Sequence, residues 1–252
     1  MKKNRFIKLA SGLLVLCLMT TCVIGATLAK YTTAKDTQDS ARVAKWGVRI
    51  SAAANSAFKT EYDKDDDSYT KEGAVTVKSS SSDKVVAPGT SGSATQFSIS
   101  GTPEVAVRLS FAMTVVNEVK LTAGTYTNTD GATVTLGSDY NPIKWTLKKN
   151  DTHVEGADTN VEGAVNLTLA EMATFLRTYH VDYAPNTDLS ATVPTYKLYW
   201  AWAFDGNDTA DSILGDLAAN VSGIKKDSND IAAIDYSTQV SYTLTITATQ
   251  ID

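Results

Sequence analysis

Val105-Ala106-Val107-Arg108-Leu109-Ser110-Phe111-Ala112-Met113-Thr114-Val115 places an apolar residue at every second position, with six matches in succession. A period of two is the signature of a strand with one buried face, and no helical stripe fits it. Its length predicts a central position across a sheet. Outward from it the same rhythm recurs. Phe97 and Ile99 alternate through Ala94 to Ser100, Ile143, Trp145 and Leu147 follow Asn141-Pro142, and Tyr196, Leu198, Trp200, Trp202 and Phe204 share one face. The last such segment sets Val240, Tyr242, Leu244, Ile246 and Ala248 against Ser241, Thr243, Thr245, Thr247 and Thr249, a threonine face suited to solvent. Near the start, Ala44, Trp46, Val48 and Ile50 alternate with Lys45, Gly47 and Arg49 and predict a further strand.

Turn residues separate these segments. Pro88-Gly89, Gly101-Thr102-Pro103, Thr129-Asp130-Gly131 and Asp205-Gly206-Asn207 each break the pattern, and Lys149-Asn150-Asp151 is expected to turn the chain as well. Ala74 to Lys78 and Ala132 to Leu136 are weaker strand candidates. Two helices are expected. Leu169, Met172, Ala173 and Leu176 recur at helical spacing, with Phe175 and Tyr179 widening the stripe and Thr168 and Glu171 forming a capping box. Asp208 to Ala219 presents Ile213, Leu214 and Leu217 on one side. The fold class that follows is mainly β: an antiparallel two-sheet sandwich with two short helices inserted.

The head of the chain is different. Lys2, Lys3, Arg5 and Lys8 precede an apolar run from Leu9 to Ile24 and the small-residue segment Gly25-Ala26-Thr27-Leu28-Ala29. That order is the pattern of a cleavable secretory signal, a helix in its apolar part, with Thr27 and Ala29 before the cut and Lys30 as the first mature residue. The apolar core is about 16 residues, shorter than the roughly 20 of a spanning helix, so a membrane anchor is the weaker reading. A lipid on Cys22 is a third one, with Met19-Thr20-Thr21 a poor approach to it. The expected organisation is a signal peptide at 1–29, a polar arm at 30–41 and a β domain at 42–252.

Cleavage changes the composition. The leader holds four of the 23 basic residues, no acid and both cysteines, so the remainder carries 19 basic against 28 acidic residues and no thiol. An acidic protein without clustered Lys and Arg is a poor ligand for nucleic acid phosphates. Disulfides, thiolate catalysis and cysteine-bound zinc are excluded from it. Stability then rests on burial, and a chain of about 223 residues buries roughly 70% of its extended surface.

Chemical motifs are few. His153 and His180 are the only histidines, and neither lies in a His-Glu-x-x-His helix. His180 follows a helix and is expected beside its terminal carbonyls. There is no Gly-x-Ser-x-Gly elbow. Asp63-Lys64-Asp65-Asp66-Asp67 is a solvated acidic loop without the turn glycine of a calcium loop of EF-hand type. No cofactor is expected. Trp200 and Trp202 offer two readings, a core face or a platform on which sugars stack.

Several of these segments resemble one family. Gly25-Ala26-Thr27-Leu28-Ala29-Lys30-Tyr31, then Ala41-Arg42-Val43-Ala44-Lys45-Trp46, then Ala87-Pro88-Gly89-Thr90 before an alternating strand are similar to the TasA and camelysin family of exported Gram-positive proteins. Trp200 to Asp208 and the closing threonine-rich strand resemble relatives of the same group. The resemblance implies a signal processed by a dedicated SipW-type signal peptidase and a jelly-roll sandwich. It also implies assembly with copies of itself into fibres of an extracellular matrix, in a biofilm or on the cell surface. Contact with the membrane would then occur only through the uncleaved leader. Camelysin is classed as a metallopeptidase, whereas this sequence has no recognisable zinc motif. A secreted peptidase and a glycan-binding wall module are the alternative classes.

The arm supplies a mechanism for assembly. Lys30, Tyr31, Thr32 and Thr33 become a free terminus only after cleavage, and they and part of the Trp46 strand are expected to add to the sheet edge of a neighbouring copy. The competing reading makes the arm a spacer that gives the peptidase access.

Overall fold

The computed structural model describes residues 10–15, 42–52, 57–63, 75–150, 158–192 and 194–251. Residues 10–15 are helical and exposed (α1), and no helix of the described residues is long and apolar enough to cross a membrane. The compact unit runs from Gly47 to Asp252. Its elements are β1 (Arg49–Ala52), β2 (Glu61–Tyr62), β3 (Val77–Lys78), β4 (Ser91–Ser100), β5 (Val107–Asn117), β6 (Lys120–Leu121), β7 (Gly124–Thr127), β8 (Thr133–Leu136), β9 (Ile143–Asn150) and β10 (Asp158–Asn160). There follow α2 (Leu169–Leu176), β11 (His180–Tyr183), α3 (Leu189–Thr192), β12 (Thr195–Trp202), α4 (Asp208–Ala218), β13 (Lys225–Lys226), β14 (Asn229–Asp230), β15 (Tyr236–Ser237) and β16 (Ser241–Gln250).

The protein is mainly β, built from several antiparallel sheets. A five-stranded sheet has the order β1-β4-β12-β9-β10 and a three-stranded sheet the order β11-β5-β16. β5, the strand with the cleanest alternation, is the middle strand of the smaller sheet, and Val107, Leu109, Phe111 and Met113 are all buried. Long apolar alternation places a strand where both neighbours shield it, because each large side chain buried contributes about 1.5 to 3 kcal/mol.

Side chains of the two sheets meet. The ring of Phe111 on β5 packs at 5.1 Å from Tyr196 on β12, and Tyr242 on β16 packs edge-on at 5.2 Å from Trp145 on β9. Tyr196, Leu198, Trp200 and Trp202 alternate inward along β12, so the strand's tryptophans are core. Gly92 on β4 belongs to this packing: a methyl group there would stand 2.9 Å from Nε1 of Trp200. That indole N–H instead donates to the carbonyl of Ala57 at 2.7 Å.

α2 begins as its sequence predicts. The hydroxyl of Thr168 accepts from the N–H of Glu171, and the Glu171 carboxylate accepts from the N–H of Thr168 at 2.8 Å. Glu118 adds a second carboxylate, accepting from the N–H of Leu169 at 2.6 Å, where the helix dipole favours negative charge. Leu169, Met172, Ala173 and Leu176 face the core.

Five expectations are corrected. Residues 42–48 are not a strand; β1 starts at Arg49, and Trp46 is 40% exposed. Only the end of the alternating run pairs, where Ile50 lies beside Ile99. Lys149 and Asn150 do not turn the chain but continue β9, because Tyr196 and Thr195 of β12 pair with them. Phe204 leaves the face it was grouped with: β12 ends at Trp202 and Phe204 is 44% exposed. Tyr179 lies beyond α2 and stacks on Phe175 from outside the helix. A further short helix, α3, sits between β11 and β12, where no apolar period announces it; its first residue, Leu189, is buried.

Candidate functional site

The expected cleavage residues Thr27, Ala29 and Lys30, and the arm residues Tyr31, Thr32 and Thr33, lie outside the described residues, as does His153. Of the acidic loop only Asp63 is described. Trp46 is described and exposed, and it pairs with no strand. His180 opens β11, and its Nδ1 lies 3.0 Å from the carbonyl of Thr178 just past α2, close to the place expected for it. Among the described residues no group of three His, Cys, Asp or Glu side chains is placed to hold a metal ion.

Among the described residues, what the fold presents is an edge. The four end strands of the two principal sheets are unequal: β1 and β11 have four residues each, β10 has three and β16 has ten. Natural sheets blunt their edges with short strands, charges or proline. β16 has none of these, since Ser241-Tyr242-Thr243-Leu244-Thr245-Ile246-Thr247-Ala248-Thr249-Gln250 carries no charge and no proline. Its β-branched and aromatic content holds it extended.

Its two faces differ. Thr243, Thr245, Thr247 and Thr249 are exposed, whereas Tyr242, Leu244, Ile246 and Ala248 pack on the core and are only half-buried. Their partners one strand inward, Met113, Phe111 and Leu109, are fully buried. Cover is therefore incomplete along this edge. Burial pushes the Tyr242 phenol up to about 12, so its neutral form persists at physiological pH.

A second polar feature lies inside. Asp211 on α4 is buried, with Oδ1 accepting from the Tyr140 hydroxyl at 2.7 Å and from Nε1 of Trp202 at 3.2 Å, while Oδ2 has no hydrogen-bond partner among the described residues. Burial is the main cause that raises its pKa, and Asp208 adds to it. The sequence places Asp211 on a helix, and its spacing of three from Leu214 is the one sign there that it points inward.

No family model matches the chain, and no curated protein matches it.

Proposed function

We propose that this chain is an exported structural subunit of the TasA type, a jelly-roll sandwich that joins copies of itself into fibres outside the cell once a SipW-type peptidase has removed residues 1–29. The observation that carries the reading is β16, a ten-residue edge strand with no charge and no proline, whose apolar face is half-covered. The ring contacts between the five-stranded and three-stranded sheets support a sandwich. The resemblance of the head and of the closing strand supports the family.

On this reading the arm of one copy, residues 30–41, lies along β16 of the next. Main-chain hydrogen bonds supply affinity, and alternate side chains of the arm cover Leu244 and Ile246 and fix the register. The contact joins unlike surfaces, so it leaves an arm and an edge free at the two ends and propagates. The leader keeps the arm tethered until export, which separates synthesis from assembly. Purified protein beginning at Lys30 is expected to form fibres visible by electron microscopy, and protein beginning at Arg42 is expected to remain monomeric. Fibres of normal appearance from the shorter protein would rule out the arm as donor.

A further inference from the structure

Tyr196, Leu198, Trp200 and Trp202 of β12 point inward, so the residues that alternate with them, Lys197, Tyr199 and Ala201, lie on the opposite face of the five-stranded sheet. Pairing with β9 sets Lys197 beside Lys148, Tyr199 beside Thr146 and Ala201 beside Lys144. These strands contribute to an open groove of about 620 Å³, completed by Asn160 and by Asn166. The Asn166 segment is fixed against the sheet: its N–H donates to Oγ1 of Thr146 at 3.2 Å, and Leu167 exchanges backbone hydrogen bonds with Trp145.

The groove's charge runs against that of the whole chain. Among the described residues its lining holds two lysines, Lys144 and Lys148, and no carboxylate, in a chain whose net charge is −5. Nζ of Lys148 sits over the Tyr199 ring, 4.2 Å from its centroid, which holds the ammonium in one place. Lys144 stands near Glu118 and Glu171, whose carboxylates already serve the start of α2, so Lys148 is the stronger anion position.

We propose that this groove binds an acidic polysaccharide, with Lys148 and Lys144 meeting carboxylates and Thr146, Asn160 and Asn166 meeting hydroxyls. Four residues of strand separate the two lysines by about 13 Å, so a ligand that engages both is an oligomer and not a single sugar. A nucleic acid fits less well. Its bases need open aromatic faces to stack on, and Tyr199, the one aromatic ring that the described residues place on the groove floor's outward face, is covered by Lys148. The site lies on a different sheet from β16 and does not depend on assembly.

The test uses the protein from Lys30 to Asp252, with polygalacturonate, polyphosphate and neutral dextran as probes in affinity electrophoresis at low and high salt. Retention by polygalacturonate that weakens with salt, with none by dextran and less by polyphosphate, is the expected result. Lys148→Gln should weaken it about tenfold, the loss of roughly 1.4 kcal/mol from one ionic contact. Tyr199→Phe should bind as the parent does, and Tyr199→Leu should bind less, with circular dichroism showing each variant folded. No retention by polygalacturonate, equal retention by polyphosphate, or a Lys144→Gln/Lys148→Gln double variant that binds as the parent does would each overturn the proposal. Because monomeric variants beginning at Arg42 keep the groove, their binding separates this result from failure of the fibre reading.

Discussion

Tyr140 and Asp211 are joined by a 2.7 Å hydrogen bond that ties the segment before β9 to α4, and the phenol is the donor. Burial, with the adjacent carboxylate, pushes the tyrosine pKa up, so it stays protonated and keeps donating. Asp211 is raised as well, chiefly by burial. A raised carboxyl has its full stabilising effect below its unfolded value of about 3.9 and loses it as pH rises through the folded value. The stability of the parent minus that of Asp211→Asn should therefore fall between pH 4 and pH 7. Urea titrations at the two pH values measure it, and a difference that grows with pH would show that the ionised form is the better bound.

Glu171 titrates in the other sense. Its carboxyl is held below the ordinary range, first by the N–H of Thr168 and then by the Thr168 hydroxyl. Its contribution is present above the unfolded carboxylate value and is lost as pH falls through the folded one. Thr168→Ala removes the hydroxyl half of the box and should cost about 1 kcal/mol at neutral pH. The Glu171 pKa, followed by NMR, should rise in that variant but stay below the ordinary range, because the backbone donor remains.

Two glycines separate conformation from space. Gly131 has a φ of +84° and open surroundings, so Gly131→Ala should cost about 1 to 2 kcal/mol from the backbone alone. Gly101 has a φ of +123°, and a methyl group there would collide with the Gly47 carbonyl oxygen. Gly101→Ala should cost clearly more, about 3 kcal/mol or above, as strain and collision add. Equal denaturation midpoints for the two variants would contradict the close approach of Gly47.

The strands most legible in the sequence are those with two shielding neighbours or a strict two-faced pattern. β5, β12 and β16 follow their alternation because every second side chain has only one place to go, and α2 follows its capping box. Trp46 shows the limit. Ala44, Trp46, Val48 and Ile50 alternate as well as any strand, yet only Ile50 meets a partner, because period two says nothing about where a neighbouring strand ends. Phe204 fails for the same reason, one step past the pairing of Trp202 with Ile143. Asp211 was hidden because an acid on an amphipathic helix reads as solvent-facing unless its hydrogen-bond partners, Tyr140 and Trp202, are known. The groove is hidden by its own strand: attention to the inward face of Leu198, Trp200 and Trp202 passes over Tyr199, which lies between Leu198 and Trp200, and the nearness of Lys148 depends on a register between strands about 50 residues apart.

Assembly along β16 has a consequence that adjacent residues can test. In an antiparallel pair successive residues turn their N–H groups alternately toward and away from the partner strand. Thr247 pairs with Ser110 and Ala248 with Leu109, so one of the two donates to β5 and the other points out along the edge. Proline removes that donor in either place. One of Thr247→Pro and Ala248→Pro should therefore lower stability by about 1 to 3 kcal/mol, the cost of a ladder bond lost to β5, while the other stays folded as a monomer that no longer elongates fibres. Light scattering and electron microscopy on the folded variant decide the matter. If it elongates at the parent's rate, β16 is not the acceptor edge, and a shorter edge such as β1 or β11 must carry the contact.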